Sequence, residues 1–359
     1  MSSRFSAFCF GFLLLSLPSF AAESFHKGIC LEGGPQVLEC HVQELRGLGA
    51  SHVSLNPFGW VQSLNSPEIH LSTHKGDQAT GRWWGESDAG LLQYASAAKS
   101  AGQGVMLRPH LWVRDNSHPK TGEAAWLDSL DFDSEGEWLK FAESYRAFAL
   151  HYARVAQQGE MEWYSIGAEL TQLTKKHPEY WRGLIRDVRA EYSGKLIYSA
   201  NWYNEVEQIV FWDDLDAIGV QAYFPLASVD SATTEQLQLG WEPHLKMLQG
   251  VSEKYGKPII FTEIGYKSTT CTARSPWDWK GTGARDDAYQ ARVYAATLET
   301  LKDRPWFAGM YWWKYHVQPC EAVEQEGIPR RQEASFAFQG KPAHKVLRTY
   351  WGTSGGEKP

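Results

Sequence analysis

Short apolar runs alternate with amphipathic stretches along almost the whole chain. The apolar runs are Gly28–Gly33, His52–Pro57, Val105–His110, Trp163–Glu169, Leu196–Trp202, Ala217–Tyr223, Ile259–Glu263 and Ala308–Trp313. Each is nearly continuous in apolar residues rather than alternating, which is the pattern of a parallel strand buried on both faces. Between them, helical spacing is read at Gln36–Leu48, Ala89–Ala101, Glu135–Gln157, Tyr180–Tyr192, Thr234–Tyr255 and Asp286–Lys302, with a last short helix at Ala343–Tyr350. Asn204–Leu215 carries a weaker helical pattern. Eight strand–helix repeats predict an α/β fold, a single (β/α)₈ TIM barrel, with long βα loops after strands 2, 3 and 7. No G-x-G-x-x-G follows the first strand and no P-loop occurs, so a nucleotide-binding sheet lacks its mark.

The ends of the chain refine this. Residues 1–21 read as a signal peptide: Arg4 is the basic residue, Phe8–Leu17 the apolar run, and Ser19-Phe20-Ala21 the small-residue cleavage site. The run is too short to span a bilayer. Residues 22–359 show no linker or low-complexity tract and are expected to form one domain, secreted or periplasmic, monomeric, and without a membrane partner after cleavage. A formal net charge of −7 with scattered Lys and Arg argues against nucleic acid. Export permits disulfides, and after removal of Cys9 the even count allows two bridges in three possible pairings; Cys30 with Cys40 and Cys271 with Cys320 is preferred, the second pair lying just beyond two neighbouring strands. No C-x-x-C or H-x-x-x-H spacing marks a metal site, and no cofactor is expected.

Chemistry in a barrel gathers at the carboxyl ends of its strands. Two strands there end in carboxylates, Glu169 on the fourth and Glu263 on the seventh, and a charge in that position is costly to desolvate unless it is paired or used. These strands face each other across the mouth. Two carboxylates so placed can cleave a glycosidic bond, one protonating the leaving oxygen and the other attacking the anomeric carbon. The chain also has 17 Trp. Many fall in loops or at strand ends, Trp60, Trp112, Trp126, Trp277 and Trp279 among them, where exposed rings could stack on sugar C–H faces. No G-x-S-x-G elbow or catalytic cysteine signature competes.

The segments W-Y-S-I-G-A-E-L, V-M-L-R-P-H, F-T-E-I-G-Y and M-Y-W-W-K-Y resemble the retaining (β/α)₈ glycoside hydrolases, and most of all the β-mannanases of glycoside hydrolase family 113. That resemblance implies Glu169 as acid/base, Glu263 as nucleophile, and Tyr223 as the hydroxyl that steadies the nucleophile. It implies Trp313, or its neighbour Trp312, as the floor of the sugar site. Substrate contacts are expected at Trp60, Arg108, His110 and Asn201. One position departs from the superfamily: Ala168 stands where an Asn commonly bonds the sugar 2-hydroxyl, and Asn201 and His110 are candidates to replace it. The implied protein is a retaining endo-β-mannanase-like hydrolase acting on an oligo- or polysaccharide. A carbohydrate-binding barrel with impaired catalysis is the alternative, and a metal-dependent barrel hydrolase a third.

Overall fold

A computed structural model describes residues 24–32, 34, 39–71, 84–281, 283–317 and 334–352. The expected signal peptide therefore lies outside the described residues. Eight strands close into a parallel barrel: β1 (His26–Glu32), β2 (His52–Leu55), β5 (Gly104–Leu107), β7 (Trp163–Ala168), β8 (Lys195–Asn201), β9 (Ile218–Gln221), β10 (Ile259–Ile264) and β11 (Phe307–His316), each beside its predecessor in the chain, with β11 meeting β1. Helices α1 (Glu39–Leu48), α2 (Asp88–Ser100), α3 (Glu135–Gln158), α4 (Thr171–Lys176), α5 (Pro178–Glu191), α6 (Thr234–Tyr255), α7 (Asp287–Leu301) and α8 (Pro342–Trp351) complete the α/β alternation.

Side chains alternate along each strand, so one set fills the barrel and the other packs under the helices. Cys30, Met106, Trp163, Ile197, Ala217, Ile260 and Tyr311 form the inner cluster. Their neighbours Ile29, Leu107, Tyr164, Phe261 and Trp312 belong to the larger outer core. The same alternation carries Arg108 inward, two residues beyond Met106.

Three expectations change. Asn204–Leu215 is not an α-helix but a series of turns ending in a 3₁₀ turn at Trp212–Asp214, with Asn204 in the left-handed region at φ 54°. The loops after the second and third barrel strands also hold structure of their own. There β3 (Phe58–Ser63) pairs in parallel with β6 (His110–Asp115) and antiparallel with β4 (His70–Leu71). His110 thus opens an accessory strand instead of ending a barrel strand. Finally, Cys30 and Cys271 are both free, so neither expected bridge forms. Cys30 points into the barrel, with Sγ near the carbonyls of Thr262 and Tyr311, and cannot reach α1 on the outside. Burial pushes its thiol up to about 12. Cys320 and the partner of Cys40 lie outside the described residues.

At the opposite end of the barrel His26, His52 and Glu162 place ligand atoms within 4.8 Å of one another. The two imidazoles are stacked, 3.9 Å between centroids and 7° between planes. Parallel rings aim their lone pairs along parallel planes, so one ion cannot lie in both. His26 instead bonds Tyr311 OH at 3.0 Å, and Glu162 sits 3.4 Å from His52 Nε2.

Candidate active site

Both glutamates reach the mouth through local irregularity. β7 ends at Ala168, and Glu169 takes φ 55°, a left-handed conformation that turns the chain into α4. Its N–H bonds Ser199 O on β8 at 3.0 Å. In β10 the pairing shifts register beyond Phe261 on both of its edges. Strict alternation from inward Ile260 would send Glu263 outward; a bulge re-aims the side chain into the barrel. Glu169 and Glu263 are 7% and 9% exposed.

Around Glu263 the donors converge. Arg108, 1% exposed, donates from Nη2 to Oε2, and the Tyr223 hydroxyl donates to Oε1. Arg108 also donates to Asn56 Oδ1 at 3.0 Å and to Gln221 Oε1 at 2.6 Å. Burial opposes the guanidinium charge, but the charge and hydrogen bond of Glu263 together with the neighbouring Cys30 and Tyr223 outweigh it, and the Arg108 pKa is raised. Burial and the Glu263 charge push the Tyr223 phenol well up, so it stays a donor.

The network continues to the second carboxyl. His110 Nδ1 faces Leu111 O at 2.7 Å, which makes Nδ1 the protonated nitrogen. With that tautomer Nε2 accepts from Gln221 Nε2 at 3.3 Å. It lies 3.6 Å from Glu169 Oε2, beyond hydrogen-bonding range. That oxygen takes the indole N–H of Trp126 at 2.6 Å. Arg108, Gln221 and His110 therefore link the surroundings of Glu263 to those of Glu169 within one mouth.

The other expected residues divide. Trp313 lines the mouth: it packs on the inner cluster, and Arg108 Cζ lies 6.0 Å from its ring centroid. Trp312 points the other way, stacked on Tyr294 of α7 at 3.8 Å. Asn201 does not reach either glutamate by a hydrogen bond among the described residues; its Oδ1 accepts from Tyr203 N at 2.9 Å. Trp60 stands farther out on β3, its ring 6.2 Å from Trp112, which is in turn 5.5 Å from Trp126. Beside Trp313, Lys314 donates to Glu32 at 2.6 Å, and burial lowers its pKa to about 8 against the pull of Glu263. The sequence marks Trp126 only as a loop ring that could stack on sugars, and Asn56 and Gln221 only as polar residues at strand ends; their bonds to Glu169 and Arg108 come from the fold.

The sequence model of Glycoside Hydrolase Family 113 matches residues 38–341. Among solved structures, the β-mannanase AaManA from Alicyclobacillus acidocaldarius, in complex with ManMIm, is 27% identical and superposes with a TM-score of 0.73, covering 92% of this chain and 97% of that one. A GH113 β-1,4-mannanase complex is 24% identical with a TM-score of 0.75, covering 92% and 99%. A β-glucuronidase from Ruminococcus gnavus shares the barrel at 13% identity and TM-score 0.57, over 91% of this chain and 50% of that one. No curated protein matches the chain.

Proposed function

Since this chain belongs to glycoside hydrolase family 113, we propose that it is a retaining β-mannanase whose nucleophile is Glu263 and whose acid/base is Glu169. The observation that carries the reading is the linked pair of strand-end glutamates in one mouth, each with its own set of donors. Arg108 supplies the positive charge that offsets burial of an ionised Glu263. Arg108 and Tyr223 together fix both of its oxygens toward the anomeric carbon.

On the other side, Trp126 occupies Oε2 of Glu169, while Oε1 has no hydrogen bond among the described residues. That oxygen is the one available to protonate the leaving glycosidic oxygen. In the first step the C–O bond to the leaving sugar breaks, Glu169 delivers its proton to that oxygen, and Glu263 bonds the anomeric carbon. In the second, Glu169 removes a proton from water, which displaces Glu263 and restores both carboxyls. Trp313 forms the floor beneath the sugar.

Ala168 offers no hydrogen bond to the 2-hydroxyl, and Asn201 has its Oδ1 taken by the Tyr203 N–H, which leaves only its amide NH2 for a sugar. An axial 2-hydroxyl, as in mannose, takes a different direction from an equatorial one and so has less call for a side chain at position 168, which is consistent with mannan. The test is incubation with β-1,4-mannan followed by ¹H NMR of the first product formed. Release of the β-anomer is expected; the α-anomer would exclude a retaining route, and binding without release would leave a carbohydrate-binding barrel. Export is proposed on the sequence alone, and an N-terminus at Ala22 on the mature protein would support it.

A further inference from the structure

Glu205 is a buried carboxyl outside the mechanism above, placed where the sequence pattern suggested a helix and the chain instead makes turns. Its Oε2 accepts the N–H of Asn201 at 2.6 Å. Its Oε1 accepts the Tyr198 hydroxyl at 2.7 Å and the Thr174 hydroxyl at 2.9 Å. The Tyr198 oxygen in turn accepts the N–H of Leu170 at 2.8 Å, and Leu170 directly follows Glu169. One carboxyl thereby ties together the ends of β7 and β8 and the start of α4.

This matters because of the backbone at Glu169. A left-handed φ at a non-glycine residue persists only when the surroundings over-determine it. Two successive N–H groups do so: that of Glu169 bonds Ser199 O, and that of Leu170 bonds Tyr198 OH. The second bond depends on Glu205, because the hydroxyl that accepts from Leu170 directs its own proton to that carboxyl. Burial pushes Glu205 up to about 7 against its three donors, with the charge of Glu169 adding to the rise; Tyr145 on α3 also feels its charge.

We propose that Glu205 is a positioning residue which, through Tyr198 and the Leu170 N–H, holds the acid/base carboxyl of Glu169 in its working orientation. The proposal rests on the reading of Glu169 as acid/base. The test compares wild type, Glu205→Gln and Tyr198→Phe on two substrates. β-1,4-Mannan needs its leaving oxygen protonated, whereas 2,4-dinitrophenyl β-mannoside releases its phenolate without help. Misplacing the acid should lower kcat/KM on mannan about tenfold or more, yet change kcat/KM on the aryl glycoside by less than about threefold. Added azide attacks the glycosyl-enzyme without a general base, so it should restore kcat on the aryl glycoside in both variants. Tyr198→Phe cuts the link while keeping the ring and Glu205, so the split can be read even should the Glu205 variant fail to fold. Equal losses on the two substrates, or no loss on mannan, would overturn the role of Glu205. A wild type inactive on both would overturn the hydrolase reading and this proposal with it.

Discussion

The indole N–H of Trp126 donates to Oε2 of Glu169 at 2.6 Å, so a residue of the loop after the third barrel strand holds the proposed acid/base at the end of the fourth. A hydrogen bond to a charged group contributes roughly 1.5–3 kcal/mol. Trp126→Phe keeps a ring against Trp112 but removes this donor. With a 2-deoxy-2-fluoromannosyl fluoride, formation of the glycosyl-enzyme needs little acid help and should keep its rate. Reactivation needs Glu169 as base and should slow about tenfold or more. Both rates are read from one inactivation and recovery time course, and an unchanged recovery would detach Trp126 from the acid/base.

Arg108 and Glu263 are interdependent in stability as well as chemistry. Removing one partner of a buried ion pair leaves an uncompensated charge and costs roughly 3–5 kcal/mol. Glu263→Ala should therefore lose turnover and also melt well below wild type, because Arg108 is almost fully buried. Glu263→Gln keeps an acceptor for Arg108 and Tyr223; it should lose turnover while retaining most of the melting temperature. Thermal melts beside activity assays separate the two effects. Turnover in the glutamine variant would remove Glu263 as nucleophile.

The barrel was legible in the sequence because strands buried on both faces must be apolar almost throughout, and these eight are. The parts that periodicity could not show arise from departures from periodicity. Glu263 faces the mouth only because β10 bulges after Phe261; regular alternation would have pointed it toward the helices. The accessory strands β3 and β6 mix polar and aromatic residues, run directly on from barrel strands, and stabilise each other only once the barrel brings them together. Cys30 reads as a disulfide partner in an exported chain, yet its place on β1 turns it inward. The 204–215 segment has helical spacing, but the Glu205 side chain is drawn under β8 by Asn201 and Tyr198. Trp126 and Glu169 lie 43 positions apart, with one of them in a loop, a relationship that only the folded chain reveals.

The stacked histidines at the far end of the barrel make stability depend on pH. Burial, and then the neighbouring His52, lower the His26 pKa to about 3 from its ordinary 6.5. Between those values the unfolded chain binds a proton that the folded one refuses, so the contribution is present above pH 6.5 and lost as pH falls toward 3. Glu86 and Glu205 run oppositely: burial raises both to about 7, so their contribution is present below pH 4.5 and lost as pH rises through 7. His26→Gln should gain on wild type in unfolding free energy as pH drops from 6.5 to 3, measured by urea titration at several pH values. A constant difference would show that His26 does not carry this dependence.

Trp277 and Trp279 are 46% and 54% exposed, and rings so placed call for a partner. Trp277 stacks on Trp202 at 5.1 Å. Trp279 meets the edge of Trp112 at 6.3 Å, and Trp112 leads through Trp126 to Glu169. An aromatic path thus runs from Glu169 out to the loop after the seventh barrel strand, the side on which the proposed mechanism puts the leaving sugar chain. Covering the exposed half of one indole is worth about 1–2 kcal/mol, which corresponds to about tenfold in affinity. Trp279→Ala should raise KM for mannan by about that factor with kcat held, since a ring touching distant sugars binds ground and transition states alike. Hydrolysis of an aryl mannoside, too short to reach the ring, should be unchanged. A fall in kcat on mannan with KM held would show instead that Trp279 acts through Trp112 and Trp126 on Glu169, and an equal loss on both substrates would remove it from either role.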